Sequence, residues 1–230
     1  MESNEIKIDF TTILASSVHD MKNSLGMLLS MLDDAIDYCA EKDSPVKKLL
    51  SQIEYEAKRI NYELIQLLSI YSMGNSQYTP NIAQNSVSEL MEEIYAQNKY
   101  LFEFKGIKVS VDCPPDIYWF FDKELVAGVL NSVINNAFRY TKEKLRISAT
   151  EAGEFIHLSV EDDGHGYPKA MLEDSVRIRG GINFTSGSTG LGLYFTSMVA
   201  AYHKNKDKSG YIEISNGGEY GGGCFNIFLP

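Results

Sequence analysis

The sequence is short of several things. Its 230 residues include three cysteines, six prolines, four histidines and a single tryptophan. Cys39, Cys113 and Cys224 lie far apart, with neither the close spacing of metal ligands nor the density of a disulfide framework. That reads as a reduced, cytoplasmic protein with buried thiols. No apolar run is long enough to span a bilayer. The opening residues, MESNEIKIDF, are mixed and acidic, unlike a secretory leader. Positive charge is scarce as well: 21 Lys and Arg against 31 Asp and Glu leave a net charge of −10. Nucleic acid and anionic membranes repel so acidic a chain at long range, so neither is an expected partner. The rest is an ordinary globular composition, 44% hydrophobic and 23% charged, sufficient for one large domain or two small ones.

Two regions differ in pattern. In the first, Leu14, Val18, Met21, Leu25, Leu28, Leu32, Ala35 and Cys39 follow a 4-3-4-3 spacing, a heptad seam on a long helix. "EKDSP" interrupts it, with Ser44 placed to cap and Pro45 to open a second helix. Leu50, Ile53, Ala57, Ile60, Leu64, Leu67 and Tyr71 form a second seam. Gly74, Asn75 and Pro80 then stop the helix. Such a pair makes an antiparallel hairpin. Leu29, Ile36, Leu49 and Leu68 add apolar surface beside the seams, more than one hairpin can cover. A second copy would complete a four-helix bundle, so a homodimer is expected.

From Asn85 the pattern mixes helices and strands. "SVSELMEEIYAQNKYLF" and "DKELVAGVLNSVINNAFRYT" read as helices. "IKVSVDC", "KLRISAT", "FIHLSVEDD", "YIEIS" and "CFNIFLP" read as strands, with a further helix at "GLYFTSMVAAYH". "HKNKDKSG" reads as a solvated basic turn. The expected class is α+β: a helical hairpin at 1–76, then an α/β sandwich at 77–230 with one sheet covered by helices.

Three features of the second region carry chemistry. Asn136 and Arg139 share a helix face in "NNAFRYT", where an amide can ligate Mg²⁺ and a guanidinium can hold phosphate. "VEDDGHGYP" sets Asp162, Gly164 and Gly166 just after a strand. There a carboxylate can accept from an exocyclic amine, and glycines let the backbone approach a flat ligand. "GSTGLGLYF" places Gly187, Gly190 and Gly192 before a helix, whose N-terminus and backbone N–H groups suit an anion. It lacks the Gly-Lys-Ser/Thr ending of a P-loop. Each feature alone is weak, and each has an ordinary structural reading.

Taken in order, they resemble the ATP-binding fold of the GHKL superfamily, which includes gyrase-type ATPases, Hsp90 chaperones and histidine kinases. Asn136 matches the N box; Asp162, Gly164 and Gly166 match the G1 box; Gly190 and Gly192 match the G2 box. With "HDMKN" on a heptad helix ahead of that fold, the chain resembles a sensor histidine kinase from about His19 to Pro230. The resemblance implies that His19 is the phosphoacceptor. It gives Asp20 the role of fixing the imidazole tautomer, and Asn23 that of positioning water for dephosphorylating a partner. It implies ATP and Mg²⁺ as cofactors. Asn136 would hold the metal, Arg139 and Tyr140 the phosphates, and Asp162 the adenine. Thr189, Gly190, Leu191 and Gly192 would lie at the nucleotide. The segment from Gly166 to Gly187 would form a lid from which Arg177 and Arg179 reach phosphate. The phosphoryl group would pass to an aspartate of a separate response regulator. With no input domain in the sequence, a separately encoded sensor acting in trans is expected.

The chain departs from the family pattern in places. Ser24 stands where the H box usually has proline, so an expected helix kink is missing. Ser132 replaces a first N-box asparagine, and only Phe184 hints at an F box. Rival readings are a phosphotransfer protein with a vestigial ATP domain, another GHKL kinase or ATPase, and a non-catalytic scaffold.

Overall fold

The computed structural model describes residues 10–38, 45–74, 79–178 and 191–230. The chain divides into two compact units, Met1–Tyr78 and Thr79–Pro230.

The first unit holds α1 (Phe10–Asp37) and α2 (Pro45–Gly74), which pack along each other. A link this short between helices this long makes the pair antiparallel. Pro45 opens α2, where its fixed φ suits a first turn and its missing N–H costs nothing. The Ser44 cap, Cys39 and Asn75 lie outside the described residues. The seams divide in two. Val18 and Ala57 are buried, whereas Met21, Leu28, Ile53 and Ile60 stay exposed. A heptad stripe facing a single partner helix has only part of its width covered. Leu49, Met27 and Met31 add to the uncovered apolar surface. The carboxylate of Glu54, buried on α2, pairs with Lys58 one turn on.

The second unit runs β1 (Ala83–Ser86), α3 (Val87–Lys105), β2 (Lys108–Asp112), β3 (Tyr118–Phe121), α4 (Lys123–Tyr140), β4 (Lys144–Ala152), β5 (Phe155–Asp162), α5 (Lys169–Ile178), α6 (Leu191–Tyr202), β6 (Lys204–Asn205), β7 (Lys208–Ser209), β8 (Tyr211–Asn216) and β9 (Gly223–Leu229). Five strands form one sheet in the order β2-β4-β5-β9-β8. Only β2 and β4 run parallel; the other neighbours are antiparallel. The expected α+β sandwich is what the chain forms.

The sheet alternates as half-buried strands should. On β5, Ile156, Leu158 and Val160 face the helices and are buried with Leu145, Ile147, Phe225 and Ile227. Leu90 and Ile94 of α3, Val126 and Leu130 of α4, and Val199 of α6 complete this core. On the opposite face Ser148 and Ser159 share a hydrogen bond of 2.7 Å. The His157 ring stacks on Phe228, which stacks on Tyr211.

Local chemistry sets the helix ends. Ser86 caps α3 by accepting from the Glu89 N–H. Gly106, at φ 71°, ends α3, and the Ile107 N–H donates back to the Phe102 carbonyl. Asp122 caps α4 by accepting from the Leu125 N–H at 3.1 Å.

Two strand pairs and one helix lie beyond the elements expected from the sequence. β1 and β3 pair antiparallel into a separate ribbon. "HKNKDKSG" is not a plain turn: β6 and β7 pair across Lys206, which turns at φ 56°. Residues Lys169–Ile178, inside the expected lid, form α5.

Candidate functional site

His19 sits on α1 next to buried Val18, with 58% of its side chain exposed. Asn23, one turn on, brings its Nδ2 to 3.3 Å from His19 Nδ1. The Asp20 carboxylate lies 3.8 Å from the same nitrogen. Helix α1 continues unbroken through Ser24. The unit thus brings His19, Asp20 and Asn23 together on an exposed surface.

In the second unit, β5 delivers Asp162 to its end, where the side chain is buried. Asp162 Oδ1 accepts from the Gly164 N–H at 2.7 Å and from the Gly223 N–H at 3.3 Å. Its backbone carbonyl accepts from the Gly222 N–H at 3.0 Å. Among the described residues, Oδ2 is given no donor, so this oxygen is left for a ligand. The glycines are needed here because of close approach. A Cβ on Gly164 would lie 2.6 Å from the Tyr140 carbonyl oxygen, and one on Gly222 would lie 2.3 Å from that of Asp162. Gly166 does need its freedom, at φ 76°. Asn216 pins the next residue, its Oδ1 accepting from the Tyr167 N–H at 2.6 Å and its Nδ2 donating to the Tyr167 carbonyl at 2.9 Å.

Helix α4 adds the amide and the cation. Asn136, Arg139 and Tyr140 are exposed at its C-terminal end. The Arg139 guanidinium lies over the Tyr140 ring at 5.9 Å. Tyr140 also meets the His165 ring edge-on at 4.9 Å. The end of α4 and the Asp162 loop are therefore in contact. Ser132 is buried instead, as is Asn131, whose amide joins Asn98 at 2.7 Å and Gln97 at 3.1 Å to tie α4 to α3.

Two groups hold this end of α4 in place. Lys105 Nζ donates to the carbonyls of Phe138 and Thr141, and its charge lies 4.8 Å from the Phe138 ring centre. Desolvation pushes the Lys105 ammonium below its ordinary pKa, against the pull of Asp163. Asp163 accepts from the N–H groups of Lys142 and Glu143. Partial burial opposes ionisation of Asp163, but these backbone donors outweigh it and hold the carboxyl below its usual range.

Leu191 and Gly192 open α6, and a helix N-terminus is chemically suited to an anion. Gly187, Thr189, Gly190, Arg179 and Phe184 lie outside the described residues, as do the side chains of Leu191 and Arg177.

Asp163, Lys105, Asn216, Gly222 and Gly223 were missed from sequence. The run "YGGGC" was the available signal for the last two, since three glycines before a strand mark a tight approach.

These residues fit a purine nucleotide. A buried carboxylate has one oxygen anchored by Gly164 and Gly223 and one to which no described residue donates, in a loop that glycines let pack tightly against the end of α4. They also fit Mg²⁺, which takes few protein ligands and completes its shell with phosphates and water. Asn136 would be that ligand. Among the described residues no group of three or more acids, histidines or cysteines could hold a metal alone. No helix among them is long and apolar enough to cross a membrane.

Comparison with known proteins agrees with this geometry. Residues 121–230 match the family described as histidine kinase-, DNA gyrase B-, and HSP90-like ATPase. The sensor protein SrrB of Staphylococcus aureus strain N315 is 24% identical over 99% of this chain and 38% of its own length. The virulence sensor histidine kinase PhoQ of Salmonella typhimurium strain 14028s is 28% identical over 69% of this chain and 32% of its own. The chain thus spans about a third of the length of the curated relatives it matches. The solved structure of Acinetobacter baumannii histidine kinase AdeS shares the fold with a TM-score of 0.60, at 21% identity, over 92% of this chain and 96% of that one.

Proposed function

We propose that the chain is of the sensor histidine kinase type, a reading supported by the ATPase-family match at residues 121–230 and the likeness to sensor proteins, and that it uses ATP to phosphorylate its own His19. The phosphoryl group then passes to an aspartate on a response-regulator receiver domain. The hairpin at 1–76 is the dimerisation and phosphotransfer region, and residues 77–230 bind the nucleotide. An ATP-consuming reaction of this kind belongs to the cytoplasm.

The chemistry follows from the side chains. A neutral imidazole is nucleophilic near neutral pH without an activating base, unlike serine. Phosphoryl transfer then depends on positioning and charge neutralisation. Asp162 Oδ2 accepts from the adenine amine, with Oδ1 already fixed by Gly164 and Gly223. Arg139 offers its guanidinium to phosphate, and Tyr140 lies beside it. Mg²⁺, held by Asn136, neutralises phosphate charge when bound. Thr189, Gly190, Leu191 and Gly192 would contact the nucleotide's phosphates, where a helix N-terminus suits an anion. Asn23 retains a place for positioning water during dephosphorylation of the receiver.

One observation carries the reading: an exposed histidine flanked by Asp20 and Asn23 shares a chain with this ATPase domain. The test is incubation with γ-labelled ATP and Mg²⁺. The wild-type protein takes up an acid-labile, base-stable label. His19→Gln and Asn136→Ala each abolish it. Label that persists in His19→Gln defeats the proposal.

A further inference from the structure

We infer that Asn23 is a positioning residue that restrains autophosphorylation, by holding the His19 ring in the tautomer that has no free lone pair for attack. This rests on the proposal that His19 is the phosphoacceptor.

Two groups compete for one atom. Asn23 presents its Nδ2 to His19 Nδ1 at 3.3 Å. An amide –NH₂ only donates, so Nδ1 must offer its lone pair and the ring proton must sit on Nε2. The Asp20 carboxylate, 3.8 Å from the same Nδ1, only accepts and therefore requires the proton on Nδ1. A single nitrogen cannot satisfy both. The amide is within hydrogen-bond reach and the carboxylate is beyond it. In the resting arrangement Nε2 thus carries a proton and Nδ1 is occupied by the Asn23 N–H. Neither nitrogen is a nucleophile.

Helix geometry favours this arrangement. Residues four apart face each other along a helix, whereas immediate neighbours diverge. Because α1 is unbroken through Ser24, Asn23 keeps its station under His19. The histidine is mostly exposed, so its ring turns towards Asp20 without displacing packed neighbours. The exposed ring gives its Nε2 proton to water and takes one from water on Nδ1; once Asp20 holds Nδ1–H, the Nε2 lone pair is free. It forms the N–P bond to the γ-phosphorus as the bond from that phosphorus to the bridging oxygen breaks. ADP leaves with that electron pair, and the Nδ1 proton stays against Asp20.

The experiment combines nitrogen-15 NMR of the imidazoles in the full chain with the rate of labelling by γ-labelled ATP. In the wild-type protein the His19 proton is expected on Nε2. Asn23→Ala shifts it towards Nδ1 and raises the initial labelling rate about three- to tenfold, the population change one modest hydrogen bond carries. Asn23→Asp, which can only accept, shifts the tautomer the same way. A wild-type ring already protonated on Nδ1 overturns the inference, as does a tautomer unchanged in Asn23→Ala. A tautomer that moves with no rise in rate also overturns it. Label that persists in His19→Gln instead defeats the phosphoacceptor reading, and the NMR still reports whether Asn23 holds the ring.

Discussion

Asp162 does two jobs with its two oxygens. Oδ1 organises the loop by accepting from Gly164 and Gly223; Oδ2, to which no described residue donates, is the atom proposed to accept from adenine. Asp162→Asn keeps one acceptor for the glycines and turns the other position into a donor. Nucleotide affinity should fall about tenfold to a hundredfold, the usual worth of a hydrogen bond to a charged group, with the circular dichroism spectrum unchanged. Titration calorimetry with a non-hydrolysable ATP analogue checks this. Gly164→Ala acts through the backbone. Its Cβ meets the Tyr140 carbonyl at 2.6 Å, so the end of α4 must shift. It should lose about 1–3 kcal/mol of stability and weaken nucleotide binding as well, measured by urea unfolding and the same calorimetry.

Among the elements, α4 depends most on its ends. At its start, Asp122 accepts from the N–H groups of Leu125 and Asn81, and its own N–H donates to Nε2 of buried His203. His203 Nδ1 faces the Val199 carbonyl at 2.7 Å, so the ring is held neutral with its proton on Nδ1. Burial accordingly lowers the His203 pKa from its ordinary 6.5, against opposing contributions from the Val199 carbonyl and Asp122. The unfolded chain therefore takes up this proton first. Stability is present above the ordinary value and declines as pH falls below it, until the lowered folded value is reached. The urea midpoint should drop between about pH 7.5 and 5.5, and in His203→Gln that dependence should flatten. At the other end, Lys105→Met keeps the aliphatic stem but strips the donor from two carbonyls. The expected cost is about 1–2 kcal/mol in urea unfolding, together with weaker nucleotide binding through Tyr140.

These elements were unequally legible in the sequence. Long periodic stretches such as α1, α2 and α4 declare themselves because burial on one face repeats every turn. The residues of β1, AQNS, carry no apolar alternation at all. They become a strand only because Tyr118–Phe121 pairs with them, Ser86 opposite Tyr118 and Ala83 opposite Phe121, partners distant in sequence but adjacent in space. α5 was hidden because glycines on both sides suggested an unbroken loop. In the site, Asp162 and Gly164 were readable from their spacing after a strand. Lys105, Asn216 and Asp163 were not, because each acts on backbone groups far from it in sequence and leaves no local pattern.

At the scale of the whole molecule, the two units differ in self-sufficiency. The second has a core of fully buried side chains on one face of its sheet. The hairpin leaves Met21, Leu28, Ile53 and Ile60 exposed along its seams, the kind of exposed apolar stripe that marks an interaction surface. A second copy covering those positions would account for the pattern, as proposed for the hairpin. Ile53→Glu with Ile60→Glu should convert a dimer to a monomer in light scattering. Nucleotide affinity of the second unit should stay within about twofold. An unchanged dimer mass would place the interface elsewhere.

The sheet order β2-β4-β5-β9-β8 has a consequence for synthesis. The strand made last, β9, belongs in the interior, between β5 and β8. A growing chain on the ribosome can pair β2, β4 and β5, but β8 has no neighbour to join until β9 emerges. Gly222 and Gly223, which anchor Asp162, arrive at the same moment. The candidate site around Asp162 is therefore completed only after β9 has emerged. Until then the nascent domain exposes the unpaired edge of β5, the kind of edge that chaperones shield and that pairs wrongly between neighbouring chains.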